Sequence, residues 1–284
     1  MKVSYFAFMA AAMWACCGCS SEKSGDKPVA DPKIGLRTSI LDRSEMRTPS
    51  LDSNGSGSFA DGDHFSLLVS DGADGLLDFD YETGVTQLYW KDVTFASSPE
   101  KVHFAACFPK RDLSGAQFAF DLETEADKDL LLARTADVPA GTTAPVDLTF
   151  RHAMHRLVVT FTDDSDVDTE SVQTVCTARS ACTVDLLDGT LKTDEGRKAS
   201  FSARGKSVFF LLVPQKTSDV EFELRFDDRT CRVPLSDHAG SHDELLGGMQ
   251  LHVELTLKEG RVEIGKTTIE GWGDQGTVEG EIIL

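Results

Sequence analysis

An all-β protein built as two sandwiches in tandem is what this chain predicts, and three observations carry that reading. First, apolar residues recur at every second position: Val220, Phe222, Leu224 and Phe226 alternate with Glu221, Glu223 and Arg225, and Leu251, Val253, Leu255 and Leu257 with His252, Glu254 and Thr256. That period belongs to a strand with one buried face. Second, turn chemistry separates these runs, at Asp71 with Gly72, Asp74 with Gly75, Gly141, Asp188 with Gly189, Gly260 and Gly271. Third, the 284 residues hold more such segments than a single sandwich of about 100 residues can use.

The opening of the chain reads as an address. Met1 and Lys2 give a short positive start, and an apolar run of about 13 residues, 3–15, leads to Cys16, Cys17, Gly18 and Cys19. Such a run is too short to span a hydrocarbon core of about 30 Å and suits the centre of a secretory signal. A cysteine after a small residue and before Ser20 and Ser21 is similar to a bacterial lipoprotein signal, which implies cleavage and acylation at Cys19, with Cys16 as the alternative. Residues 1–18 are then the lipoprotein signal peptide. Residues 19–33, polar and carrying Pro28 and Pro32, read as a flexible tether.

Residues 34–150 are expected to form the N-terminal sandwich. Val102 and Phe104, Phe118 and Phe120, and Val146, Leu148 and Phe150 mark strands within it, while 123–134 could hold one short helix. The boundary falls near 150–156, where His152, Ala153, Met154 and His155 interrupt the alternation. Residues 151–284 form the second sandwich, opening on Leu157, Val159 and Phe161. The continuous apolar run 208–213, stopped by Pro214, suits a strand buried on both faces. Residues 243–246 offer at most a turn.

Composition narrows the function. With 28 Lys and Arg against 47 Asp and Glu, the net charge is −19. Nucleic acid and anionic membrane surfaces both recruit clustered cations, so neither is expected as the main partner. Seventeen Phe predict many buried rings. Export implies an oxidising compartment, in which Cys107, Cys176, Cys182 and Cys231 could pair in three ways or stay buried and free; Cys176 and Cys182 are close enough to close a hairpin-like loop.

No constellation carries a catalytic or metal signature. His152 and His155 have no third ligand nearby, and His238 and His242 among Asp237, Asp243 and Glu244 read as a solvated loop. Asp164, Asp166 and Asp168 begin like a calcium loop, but Thr169 takes the sixth position and Val175 the twelfth. Asp71, Asp74, Asp78 and Asp80 miss that pattern too. Neither a nucleophile elbow nor a phosphate loop is present. No enzyme activity and no cofactor is expected.

Several segments taken together carry a family likeness: Phe59, Gly62, Asp63 and Phe65; Phe104 to Phe108 with Pro109; Asp129 followed by Leu130, Leu131, Leu132 and Ala133; Val146 to Leu157; and Thr268, Ile269, Glu270, Gly271 and Trp272. In this order over 34–272 the chain resembles the fimbrillin family, surface pilus subunits of Bacteroidales, although Cys107 stands where that family often has an aromatic ring. The resemblance implies two tandem transthyretin-like Greek-key β-sandwiches. It implies a lipoprotein of the outer-membrane surface or fimbrium that joins other pilus subunits by donor-strand exchange. An arginine-specific protease would cut after Arg43 or Arg47 and remove a first strand containing Ile34, Leu36, Ile40 and Leu41. A donor strand containing Glu281, Ile282, Ile283 and Leu284 would fill the vacated groove of the next subunit. A host protein or glycan receptor would be a further partner. The alternative is a lipid-anchored adhesin, pilus anchor or glycan-binding lipoprotein that does not polymerise; an exposed Trp90 or Trp272 would favour glycan binding, and Trp272 is expected in the core.

Overall fold

Period-two alternation becomes a protein of strands, with only short 3₁₀ turns between them and no α-helix among the described residues. The structure is a computed structural model. It describes residues 31–41, 59–163, 165–226, 229–237, 239, 242–258, 261–271 and 277–282, with Leu41 and the strands at 261–271 and 277–282 described in backbone only. No helix among these is long and apolar enough to cross a membrane.

The first large sheet runs Leu36–Leu41, Val146–His152, Leu131–Arg134, Lys101–Phe108, His64–Ser70 and Leu76–Glu82, and Val138–Pro139 pairs onto Lys101–Phe108 off that path. Its first pairing is parallel and the others are antiparallel. One face carries Phe65, Leu67, Phe104, Leu148 and Phe150, which close a core with Phe59, Trp90 and Val93. Rings dominate it: Phe59 meets Phe150 edge-on at 4.6 Å, and Phe65 stacks on Tyr81 at 4.9 Å. Trp90 lies inside this core and donates its indole N–H to the Thr142 carbonyl at 2.8 Å. A buried tryptophan needs such an acceptor.

The opposite face of the same sheet is buried as well. Leu68, Ala105, Cys107 and Leu132 pack against Phe120, Cys182, Val184 and Leu186. The last four belong to a three-stranded sheet ordered Thr190–Thr193, Ala181–Asp185 and Gln117–Asp121, with Leu186 just beyond its central strand. A hairpin from the second half of the sequence therefore takes its third strand from the first half.

A third layer pair completes the fold. Ser207–Leu212, His155–Phe161, Met249–Lys258, Arg261–Gly271 and Thr277–Ile282 form one sheet, and Lys198–Arg204, Gln173–Arg179, Glu221–Phe226 and Arg229–Pro234 another. Leu157, Val159, Phe161, Leu251, Val253 and Leu255 from the first meet Cys176, Ala178, Phe222 and Leu224 from the second. These are the alternating positions of the sequence pattern, now facing one another across a core.

Two expectations are corrected and one open choice is decided. Residues 123–134 form no helix; turns lead into the strand Leu131–Arg134, because Leu130, Leu131 and Leu132 are consumed by cores on both faces of a central strand. The run 208–213 is buried on both faces only from Phe210 onward. Phe209 is 42% exposed, since its strand lies at a sheet edge, and it stacks under the Arg156 guanidinium. Of the alternatives left open for the cysteines, the free one holds: Cys107, Cys176, Cys182 and Cys231 are all unbridged, and Cys176 and Cys182 point into different cores.

Two histidines mark the passage between strands Val146–His152 and His155–Phe161. His152 Nδ1 and Asp129 Oδ1 lie 2.7 Å apart in the interior. His155 Nδ1 donates to the Leu246 carbonyl at 2.9 Å, and burial pushes the His155 pKa down to about 4.

Candidate functional site

The opening strand sits where a strand can be added or removed with least disturbance, at the edge of the first large sheet. Alternation decides its inward side. Ile34 and Ile40 are each 3% exposed, Leu36 packs partly against the same core, and Gly35, Arg37 and Ser39 face out. Burying each isoleucine is worth roughly 1.5–3 kcal/mol.

Pairing to the neighbour is long-range and parallel. Leu36 stands opposite Val146, Thr38 opposite Leu148, Ile40 opposite Phe150 and Leu41 opposite Arg151. The Val146 N–H donates to the Gly35 carbonyl at 2.7 Å, and Ser39 Oγ donates to Thr149 Oγ1 at 3.3 Å. Arg37 meets Asp147 at 3.2 Å, but both side chains are largely exposed, so this pair adds register rather than strength. Before this strand, Lys33 and Ile34 pair with Tyr89 and Leu88, and the Trp90 N–H donates to the Pro32 carbonyl. If the strand left, Val146–His152 would become the edge, with unpaired N–H and C=O groups beside an apolar hollow.

The other edge of this sheet is built to refuse company. Strand Leu76–Glu82 turns Leu77, Phe79 and Tyr81 toward the core and carries Asp78, Asp80 and Glu82 between them. A hydrogen bond from Lys110 holds the Asp80 carboxyl below its usual range, whereas burial and the nearby Asp112 raise that of Asp78. A row of carboxylates discourages an added strand.

The sequence-predicted site residues divide by what is described. Ile34, Leu36 and Ile40 line the covered hollow, and Leu41 ends that strand. Cys19, Arg43, Arg47, Ile283 and Leu284 lie outside the described residues. Glu281 and Ile282 end the strand Thr277–Ile282, whose backbone pairs with Arg261–Gly271 at the edge of its own sheet. Sequence reasoning missed the other wall of the hollow, Val146, Leu148 and Phe150, as a partner to the first strand. Its alternation was visible, but nothing local links it to residues 110 positions earlier. Trp90 is buried and offers no platform for a sugar ring, and Trp272 lies outside the described residues. Among the described residues no cluster of three His, Cys, Asp or Glu could hold a metal ion. Asp71, one of the acids weighed for calcium, instead closes its own turn by accepting the Ala73 and Gly75 N–H groups and the Ser97 hydroxyl.

Comparison with known proteins adds the following. The sequence profile described as fimbrillin-like matches residues 57–272. No curated relative matches the chain. A solved structure from Bacteroides uniformis, named as a candidate cell adhesion protein, superposes with a TM-score of 0.63 at 14% identity, covering 84% of this chain and 98% of that one. Another of the same description from Bacteroides ovatus gives 0.60 at 17% identity, over 87% and 100% of the two chains. A fimbrial assembly protein from Parabacteroides distasonis gives 0.50 at 10% identity, over 88% and 100%. At these identities the likeness is one of fold.

Proposed function

The chain belongs to the fimbrillin-like family, and from that premise we propose that it is a subunit or adhesin of a surface fimbrium, exported as a lipoprotein and assembled by donor-strand exchange. Its role is structural and adhesive rather than catalytic. One observation carries the assembly reading: the strand Leu36–Leu41 lies in parallel along a sheet edge, buries Ile40, and covers the edge of Val146–His152. Residues 34–150 and 151–284 are the two transthyretin-like sandwiches of this reading, following a signal peptide at 1–18 and a tether at 19–33.

In this scheme Cys19 is acylated and holds the protein to outer-membrane lipid. An arginine-specific protease cuts after Arg43 or Arg47, the first strand departs, and another subunit's strand, of the kind formed here by Glu281, Ile282, Ile283 and Leu284, enters the hollow. The physical gain is double: an added strand pairs the bared backbone groups and covers the apolar trough. A host protein or glycan receptor completes the set of partners.

A second reading has its own support. The opening segment is pinned at Pro32, at Lys33 with Ile34, and along Leu36–Leu41, as expected of an anchor subunit or lipid-anchored adhesin that keeps its first strand. Digestion with an arginine-specific protease separates the two. Cleavage after Arg43 or Arg47, loss of the preceding segment by mass spectrometry and growth into SDS-resistant oligomers support the polymerising subunit. A chain that stays whole and monomeric on size-exclusion chromatography refutes it in favour of the anchored protein.

A further inference from the structure

A cleft of about 700 Å³ opens on the side of the first sheet away from its aromatic core. Its floor is the pair of strands Leu131–Arg134 and Val146–His152. Phe150 stands opposite Ala133, and Arg151 opposite Leu132, so one further step sets Thr149 beside Arg134. Ala133 and Phe150 point into the aromatic core. Arg134 and Arg151, each one step from them, therefore project to the other face as diagonal neighbours.

Both arginines are exposed, and neither forms an ion pair with a carboxylate among the described residues. Arg111, Arg179 and Arg197, in contrast, all do. Asp185 feels the Arg134 charge, but its carboxylate is engaged by Gln117 and by the N–H groups of Leu187 and Asp188. In a chain of net charge −19, two adjacent cations have no carboxylate paired to them among the described residues. Like charges placed this way repel, and an anion between them would relieve the repulsion.

Apart from Thr149 and the buried His152, the rest of the lining is aliphatic and fixed in place. Leu132, Leu191, Pro214 and Leu246 line it, and Leu246 is 54% exposed at its mouth. That leucine is not on a loose loop: its carbonyl accepts from His155 Nδ1 at 2.9 Å, and the Gly248 N–H donates to the Met154 carbonyl at 2.9 Å. Gly247 is pressed so close that an added Cβ would lie 2.4 Å from the Ala153 carbonyl oxygen. On the other wall Gly189, at φ +66°, lets the stem of Arg134 pack against its backbone. A site whose walls are already in position loses little freedom on binding.

We propose that this cleft binds an aliphatic carboxylate, with the carboxyl group held between Arg134 and Arg151 and the hydrocarbon against Leu132, Leu191 and Leu246. Among the described residues no Phe, Tyr or Trp lines it, and the His152 imidazole at its floor is only 3% exposed, so it offers no stacking surface for a sugar, and its apolar walls give nothing to a bare inorganic anion. Two sources share this chemistry: a free short-chain acid, and the C-terminal aliphatic residue of a peptide.

Titration calorimetry with three probes tests the proposal: isovalerate, N-acetyl-alanyl-leucine with a free carboxylate, and the same dipeptide as its amide. The free acids bind, and the amide binds at least roughly tenfold more weakly, the scale of one charge-assisted contact. Isovalerate matching the dipeptide assigns the site to small acids; a dipeptide clearly tighter than isovalerate assigns it to a peptide terminus. Arg134→Gln and Arg151→Gln each weaken binding about tenfold. Both side chains are exposed, so these variants keep the parent melting temperature. Leu246→Asp removes binding through the opposite wall. The proposal is overturned if acid and amide bind alike, if galacturonate binds better than either acid, or if the arginine variants bind as the parent does.

Discussion

Ile40→Ala puts the seating of the first strand to a quantitative test. The side chain is 3% exposed and stands opposite Phe150 in the aromatic core. The substitution removes three carbons, which at about 0.8 kcal/mol each accounts for roughly 2.4 kcal/mol of lost transfer energy. A parallel pairing on one side and rings on the other leave little room to collapse, so a cavity contribution brings the total to about 3–4 kcal/mol. For a chain of this size that is a fall of roughly 6–15 °C in melting temperature. Urea unfolding followed by near-ultraviolet circular dichroism reads the change, with Arg37→Ala as the control. Arg37 and Asp147 are both mostly solvated, so the control costs at most about 1 kcal/mol. Should Ile40→Ala also cost less than about 1 kcal/mol, the strand is not seated in a hollow. The case for strand exchange at that edge then fails, because no apolar trough would be left for a donor to fill.

Two further outcomes follow from the interior. Folding holds the His155 pKa near 4, below its ordinary 6.5, so the unfolded chain binds the proton more readily and stability falls as pH drops from about 6.5 toward 4. Between pH 7 and pH 5 this single group accounts for a loss of roughly 2 kcal/mol, which His155→Gln abolishes; equal pH slopes for parent and variant in urea unfolding would contradict it. Burial also raises the thiols of Cys107 and Cys182 to about 12 and that of Cys176 higher still. Site-resolved alkylation at pH 8 should therefore leave these three intact in the native protein and modify them in urea, with half-buried Cys231 reacting first; native labelling of Cys176 would show that its core opens.

Strand character was legible wherever one face is buried and the other wet. Glu221–Phe226 and Met249–Lys258 alternate in the sequence and alternate in burial, because the pleat itself has period two. Legibility failed where a strand is covered on both sides or on neither. Leu130, Leu131 and Leu132 gave no alternation because consecutive residues serve opposite cores, and a short helix was the natural misreading. Phe209 belongs to an unbroken apolar run, yet its position at a sheet edge leaves it outside. The candidate site was half visible: Ile34, Leu36 and Ile40 carry the right spacing, while the strand that receives them was recognisable only as a strand.

By itself, then, the amino-acid order determined the all-β class, the face each strand buries, the turns and the strongly acidic character. Each of these is a property of a few adjacent residues. The tertiary structure alone decided which strand lies beside which: 36–41 along 146–152, 155–161 along 249–258, and 117–121 against 181–185 across the two halves. Backbone N–H and C=O groups are the same at every position, so no local signal names their partner. The choice is made by which pairings close three cores at once, and the same choice brings Arg134 and Arg151 side by side on one face.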